Sequence, residues 1–212
     1  MGIIEKALVF VEEFFAQDCG GHDYFHTLRV YRLATHIAEQ EQAALPIVQL
    51  AALLHDVDDR KLSPETCADK TNARRFLTEN GADAATVERV CRIIGEVSFI
   101  GTDSVVPESV EGKCVQDADR LDAIGAIGVA RAFAYGGSHN RFMHHPDLPP
   151  QLNMNKEAYQ NSRSTTVNHF YEKLLLLKDC MNTPTAKRLA ESRHRYMQEF
   201  LAEFMAEWDG TA

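Results

Sequence analysis

The stretch that decides the fold is Pro46-Ile47-Val48-Gln49-Leu50-Ala51-Ala52-Leu53-Leu54, followed at once by His55-Asp56-Val57-Asp58-Asp59. Its first part is apolar nearly all round, far short of a membrane span, and opens on a proline, which suits the first turn of a helix. A helix without a polar face belongs in the middle of a core. Its second part breaks the pattern. Three carboxylates stand where the helix ends, at the pole whose dipole favours cations. Buried anions need a partner, so a bound cation would answer dipole, burial and mutual repulsion together.

Working outward, the hydrophobic period is helical almost everywhere and strand-like alternation is hard to find, which predicts an all-α fold. Ile3 to Phe15 reads as an amphipathic helix and His22 to Gln42 as a second. Ser63-Pro64, a cap residue and a proline at the first helical position, starts a helix that stops at Asn80-Gly81. Asp83 caps the next, with Val87, Val90, Cys91 and Ile94 as its buried stripe. Pro107 to Lys113 leads into one long helix over Val115 to Tyr135. Thr183-Pro184 starts the last, with Leu189, Tyr196, Phe200, Phe204 and Trp208 on one face. Gly136 to Asn155 has no periodicity and holds three prolines and three histidines, and is expected to form a long loop at the rim of a site. With no repeat and no obvious linker, residues 1–212 are expected to form one domain, 156–208 supplying C-terminal helices that pack on the core.

Bulk properties narrow the function. Of 212 residues, 45% are hydrophobic, enough for a real core. The formal net charge of −9 argues against gripping a nucleic-acid polymer, whereas a small anionic ligand remains compatible with a local cluster of cations. Five scattered cysteines without a Cys-x-x-Cys fit structural thiols in a reducing compartment. The opening Met1-Gly2-Ile3-Ile4-Glu5-Lys6 does not read as a secretory leader, and no apolar run reaches membrane-spanning length, so the expectation is cytoplasmic and off the membrane.

Two further clusters carry chemistry. Gln116-Asp117-Ala118-Asp119-Arg120-Leu121-Asp122 puts three acids in an otherwise apolar helix, with Asp119 and Asp122 facing the same way. Gly21-His22-Asp23-Tyr24-Phe25-His26 sets two histidines four apart, able to face one pocket. Each has a plain structural reading, as dipole-compensating acids or as a hydrogen-bonded pair. Together with His55-Asp56 they make a mixed imidazole and carboxylate set, suited to Mn, Fe, Co, Ni or Zn.

The order His26, His55-Asp56, Asp119 resembles the HD superfamily of metal-dependent phosphohydrolases. The runs from Cys114 to Gly128 and from His169 to Leu174 are similar to its small stand-alone bacterial members. The resemblance implies an all-α HD-domain bundle and a single divalent ion held by His26, His55, Asp56 and Asp119, with Asp117 and Asp122 as alternatives for the last position. It implies manganese first, with Mg, Fe, Co, Ni and Zn as alternatives. One ion rather than two is expected because no histidine stands between His55 and His139. Asp59, three positions after Asp56, matches an acid that handles the attacking water in related enzymes, and Asp122 is the second candidate for that role. Cations are needed against developing phosphoryl charge. The candidates are Lys61 first, then Arg29, Lys113, Arg163 and Lys173, with His22 as a further contact beside the site.

The expected substrate is a small phosphate-containing anion, a nucleotide, with nucleoside or deoxynucleoside triphosphates favoured. A monophosphate phosphatase, a cyclic-nucleotide phosphodiesterase and a nucleotide sensor without turnover are the alternatives. A homodimer is compatible with the sequence.

Overall fold

The computed structural model describes residues 1–16, 23–60, 62–155, 157–158 and 164–212, and among these every regular element is a helix. The chain divides into two compact units. Unit 1 comprises Met1–Ser98 with Val105–Asp119, and unit 2 comprises Phe99–Ser104 with Arg120–Ala212. None of the described helices is long and apolar enough to cross a membrane.

Unit 1 is built on the decisive stretch. Helix α3 (Leu45–Leu54) buries Ile47, Val48, Leu50, Ala51, Ala52, Leu53 and Leu54; past its first turn only Gln49 is not buried, and its side chain donates to the Tyr31 hydroxyl. It packs against α1 (Ile3–Phe14), α2 (Tyr24–Gln40) and α5 (Ala84–Val97), as an all-round apolar helix must. Helix α5 starts where expected, with the Asp83 carboxylate accepting the Thr86 N–H, and buries Val87, Val90, Cys91 and Ile94. Helix α2 begins at Tyr24 because Asp23 caps it, its Oδ1 accepting the His26 N–H at 2.6 Å. The acid beside the first histidine of that motif is therefore a cap. His22 lies outside the described residues.

Two boundaries differ from the sequence reading. Helix α4 spans Thr71–Glu79 and does not start at Ser63, which opens a series of turns. Its local cap residue, Lys70, is left-handed (φ 55°) and makes no side-chain cap bond. The cap comes instead from a distant residue. The buried Asp58 carboxylate accepts the N–H groups of Asn72 and Ala73 at 3.1 and 3.0 Å. A proline at Ser63-Pro64 was a weaker signal than a buried carboxylate waiting for free N–H groups.

The expected helix from Val115 to Tyr135 is two, α6 (Val110–Asp122) and α7 (Gly125–Ser138). The break lies at Gly125, whose φ of +78° favours glycine, and a side chain there would meet Arg193 Cγ at 3.0 Å. At Gly128 a Cβ would lie 2.2 Å from the Ala123 carbonyl oxygen. These small residues serve the turn between α6 and α7.

In unit 2, arginines close the end of α6. Arg193 donates to the Leu121 carbonyl, Arg131 Nη1 reaches the Asp122 carboxylate at 2.6 Å, and Arg120 donates to the Cys180 carbonyl. Cations on the last carbonyls of a helix suit its negative pole. Helix α9 (Pro184–Trp208) starts at the predicted cap, Thr183 accepting the Ala186 N–H. Its buried stripe is Ala186, Ala190, Met197 and Leu201, not the aromatic face read from sequence; Tyr196 and Trp208 are each 45% exposed. The aromatic residues instead form a ladder in which Phe133 meets Phe200 and Phe204, each with ring centres 5.8 Å apart.

The expected loop is present from His139 to Asn155, and it is tied down. The carbonyls of Phe142 and Met143 accept the N–H groups of Thr166 and Val167, at the start of α8 (Thr166–Glu172). Asn168 Nδ2 donates to the Leu148 carbonyl, and the buried Glu172 carboxylate accepts from Gln151 N–H and the Ser164 hydroxyl.

The two glycine environments give opposite expectations. Gly125→Ala forces a side chain into left-handed backbone against Arg193 and should cost about 1–2 kcal/mol. Gly137→Ala, in a helix and with open space at its Cβ, should be neutral or gain up to about 1 kcal/mol. Thermal denaturation of the two variants checks both, and equal shifts would contradict the assigned turn.

Candidate metal centre

Three helices of unit 1 bring the site together. His26 comes from the first turn of α2, one turn inside the Asp23 cap. His55 and Asp56 follow directly on the last residue of α3. Asp119 lies on α6. The chain thus delivers one imidazole from the start of a helix and a His-Asp pair from the end of the most buried one, and α6 supplies a second carboxylate.

The four side chains cluster, with Asp119 the outermost. The two Nε2 atoms of His26 and His55 are 3.3 Å apart. Asp56 Oδ2 lies 3.4 Å from His26 Nε2 and 3.2 Å from His55 Nε2. Asp119 Oδ1 lies 3.5 and 4.0 Å from the same two nitrogens. An ion with bonds of roughly 2.1 Å sets neighbouring ligand atoms about 3.0 Å apart at right angles and about 3.4 Å apart in a tetrahedron. The separations among His26, His55 and Asp56 match that range, Asp119 stands somewhat farther off, and a donor set of two imidazoles and two carboxylates suits a divalent cation. His26, His55 and Asp56 are all buried, and their ligand atoms lie within 4.8 Å of one another.

The surroundings prepare these groups. His55 Nδ1 lies 2.8 Å from the Ala52 carbonyl, which can only accept, so Nδ1 carries the proton and Nε2 faces the cluster. The imidazoles are almost wholly buried, whereas the Asp119 side chain is 28% exposed. Of the four, Asp119 is the side chain that solvent reaches most. Without an ion the site favours a proton. Burial opposes charge on His55, yet the Asp56 and Asp119 carboxylates and the Ala52 carbonyl outweigh it and push its pKa up to about 9.

The other predicted residues separate into groups. Arg29, one turn past His26, and Lys113, on α6, are half-buried in unit 1. Asp59 is also half-buried in unit 1, three residues past Asp56, its carbonyl accepting the Leu62 and Ser63 N–H groups. Asp122 and Lys173 belong to unit 2. Asp122 is buried and ion-paired to Arg131 at 2.6 Å, and Lys173 Nζ sits 5.1 Å from the Phe99 ring centre. Lys61, Arg163 and His22 lie outside the described residues. Cys67, Cys91, Cys114 and Cys180 are free thiols, and burial pushes Cys114 up to about 12, as expected of structural cysteines. Sequence reasoning missed the duty of Asp58 and the pairing of Asp122 with Arg131. The excess of acids at both motifs was visible, but no local spacing distinguishes a ligand from a cap or an ion pair.

Comparison with known proteins places these residues in context. The model of the HD domain family matches residues 23–124, a range that contains all four clustered side chains. The uncharacterized protein YpgQ of Bacillus subtilis (strain 168) is 39% identical over 201 residues, covering 94% of this chain and 90% of that one. Among solved structures, an HD-superfamily hydrolase from Bacillus thuringiensis is 43% identical with a TM-score of 0.76, covering 97% of this chain and 96% of its own. The structure of B. subtilis YpgQ in complex with ADP is 36% identical with a TM-score of 0.78, covering 99% of this chain and all (100%) of its own.

Proton and ion compete for His55. In the ion-free protein, the stabilisation from its raised pKa is fully present below the ordinary value of 6.5 and is lost as pH rises through about 9. A cation on Nε2 must displace that proton, so apparent affinity for Mn2+ should rise up to about tenfold per pH unit and level off above pH 9. Calorimetry in buffers of different ionisation enthalpy should count about one proton released per Mn2+ near pH 7.5. A count of zero would remove His55 from the ligand set.

Proposed function

The chain belongs to the HD domain family, and on that premise we propose that it is a metal-dependent phosphohydrolase acting on nucleotides, with nucleoside or deoxynucleoside triphosphates as the favoured substrates. The observation that carries the reading is the cluster of His26, His55 and Asp56 with Asp119 beside the two imidazoles. A small phosphate anhydride suits a site of this kind better than a polymer does, given the net charge of −9. The ADP bound to B. subtilis YpgQ supports a nucleotide as the ligand class.

A divalent ion held there, manganese first, supplies Lewis acidity, lowering the pKa of a water and polarising a phosphoryl oxygen. The protein's own groups do the rest. Asp59 takes up the proton of the attacking water and orients it for in-line displacement. With Asp122 committed to Arg131, Asp59 is the acid chosen for this role. Lys61, Arg29 and Lys113 meet the negative charge that builds on the transferred group, Lys61 first because it lies two residues past Asp59. His22, Arg163 and Lys173 are secondary contacts in this scheme.

The test is a panel of metals against nucleoside tri-, di- and monophosphates and cyclic nucleotides, with products identified. Release of pyrophosphate or phosphate from triphosphates is expected. Asp56→Ala should lower turnover at least about 100-fold, in line with the cost of losing an essential metal-site group. Turnover of monophosphates or cyclic nucleotides alone would move the substrate class, and tight nucleotide binding without hydrolysis would make the chain a sensor.

A further inference from the structure

Of the acids in His55-Asp56-Val57-Asp58-Asp59, Asp58 is the one that neither the ion nor the attacking water uses. It is 1% exposed, and both its oxygens are committed, one to the Asn72 N–H at 3.1 Å and the other to the Ala73 N–H at 3.0 Å. Asn72 answers in the other direction. Its Nδ2 donates to the Val57 carbonyl at 3.0 Å and to the Thr66 hydroxyl at 3.1 Å, and its Oδ1 accepts from Arg75 at 3.2 Å. The first turn of α4 therefore grips residues 57 and 58 from both the backbone and the side chain.

The grip falls where the chain needs it. Helix α3 ends at Leu54, so Asp56 stands beyond the regular ladder that holds the apolar body in place. Past that point the backbone has turn bonds, Val57 N–H to Leu54 carbonyl at 3.4 Å and Asp59 N–H to Asp56 carbonyl at 3.0 Å. A carboxylate on such a turn points correctly only if the peptides after it are held. Losing a group that holds a ligand's orientation typically costs a metal site about 10- to 100-fold in affinity. We propose that Asn72, together with Asp58, is a positioning pair for the metal centre: α4 clamps the peptides after Asp56 and so aims its carboxylate at the ion. The same clamp keeps the Asp58 charge on the N-terminus of α4 and out of competition for the ion.

This inference rests on the metal-centre reading, so its test reads metal affinity in the full-length protein and not hydrolysis alone. Mn2+ binding, measured by the resonance signal of free Mn2+, is compared across wild type, Asn72→Ala, Asp58→Asn and Asp83→Ala. The last removes the side-chain cap of α5 and serves as the stability control. Asn72→Ala and Asp58→Asn should weaken Mn2+ binding about tenfold or more, while Asp83→Ala lowers the melting temperature with its affinity within about twofold of wild type. Saturating Mn2+ should restore the kcat of Asn72→Ala, as expected if only ligand aim is lost. Wild-type affinity in Asn72→Ala would overturn the proposal, as would an equal loss in Asp83→Ala. Should the alanine variant fail to fold, Asn72→Asp keeps the volume but turns an oxygen toward the Val57 carbonyl, and unchanged affinity there overturns the proposal equally. Absence of Mn2+ binding by the wild type would instead defeat the metal-centre reading, and the clamp with it.

Discussion

Two imidazole nitrogens, each with two carboxylate oxygens 3.2 to 4.0 Å away, are a standing electrostatic problem. The carboxylates repel, and the end of α3 adds the negative pole of a helix. Solvent relieves the repulsion only at Asp119, because the imidazoles and Asp56 are buried. A proton on His55 is one answer and a divalent cation is a better one. Much of unit 1 can be understood as the apparatus that keeps this unfavourable cluster together: an apolar helix that cannot withdraw from the core, a cap that starts α2 just before His26, and a buried carbonyl that orients His55.

The fold class and the acidic and histidine motifs could be read from the chain because they rest on local pattern, whereas the choice of Asp119 among the acids of α6 came from the resemblance to the HD superfamily. A helix with no polar face has only one place to go, and acids at its end stand out against it. Asp83 and Thr183 were equally legible, since a cap and the N–H groups it serves lie within one turn. What escaped was everything decided at a distance. Nothing near Ser63 says that α4 waits until Thr71, because the deciding carboxylate, Asp58, belongs to a motif that reads as metal chemistry. The break at Gly125 was hidden for a similar reason: a run of small residues fits a close helix contact as well as it fits a turn.

The face of α9 shows a different limit. Hydropathy favoured Tyr196, Phe200, Phe204 and Trp208, yet burial went to Ala186, Ala190, Met197 and Leu201. Large rings can pack on one another at a surface and stay half-wet, whereas small residues admit the close approach that excludes water. A stripe defined by hydrophobicity and a stripe defined by fit need not coincide. Asp122 makes the same point in charge: an acid three residues from a metal-site acid shares its face by periodicity, but Arg131 claims it.

The stretch from His139 to Asn155 looks loose in sequence and is not. Its carbonyls serve as the opening bonds of α8, and a buried glutamate holds the Gln151 amide. An aperiodic segment woven into the start of a helix in this way behaves as part of the scaffold. Lengthening or shortening it would unseat α8, so over evolutionary time this loop should resist insertion and deletion while its outward-facing side chains remain free to drift.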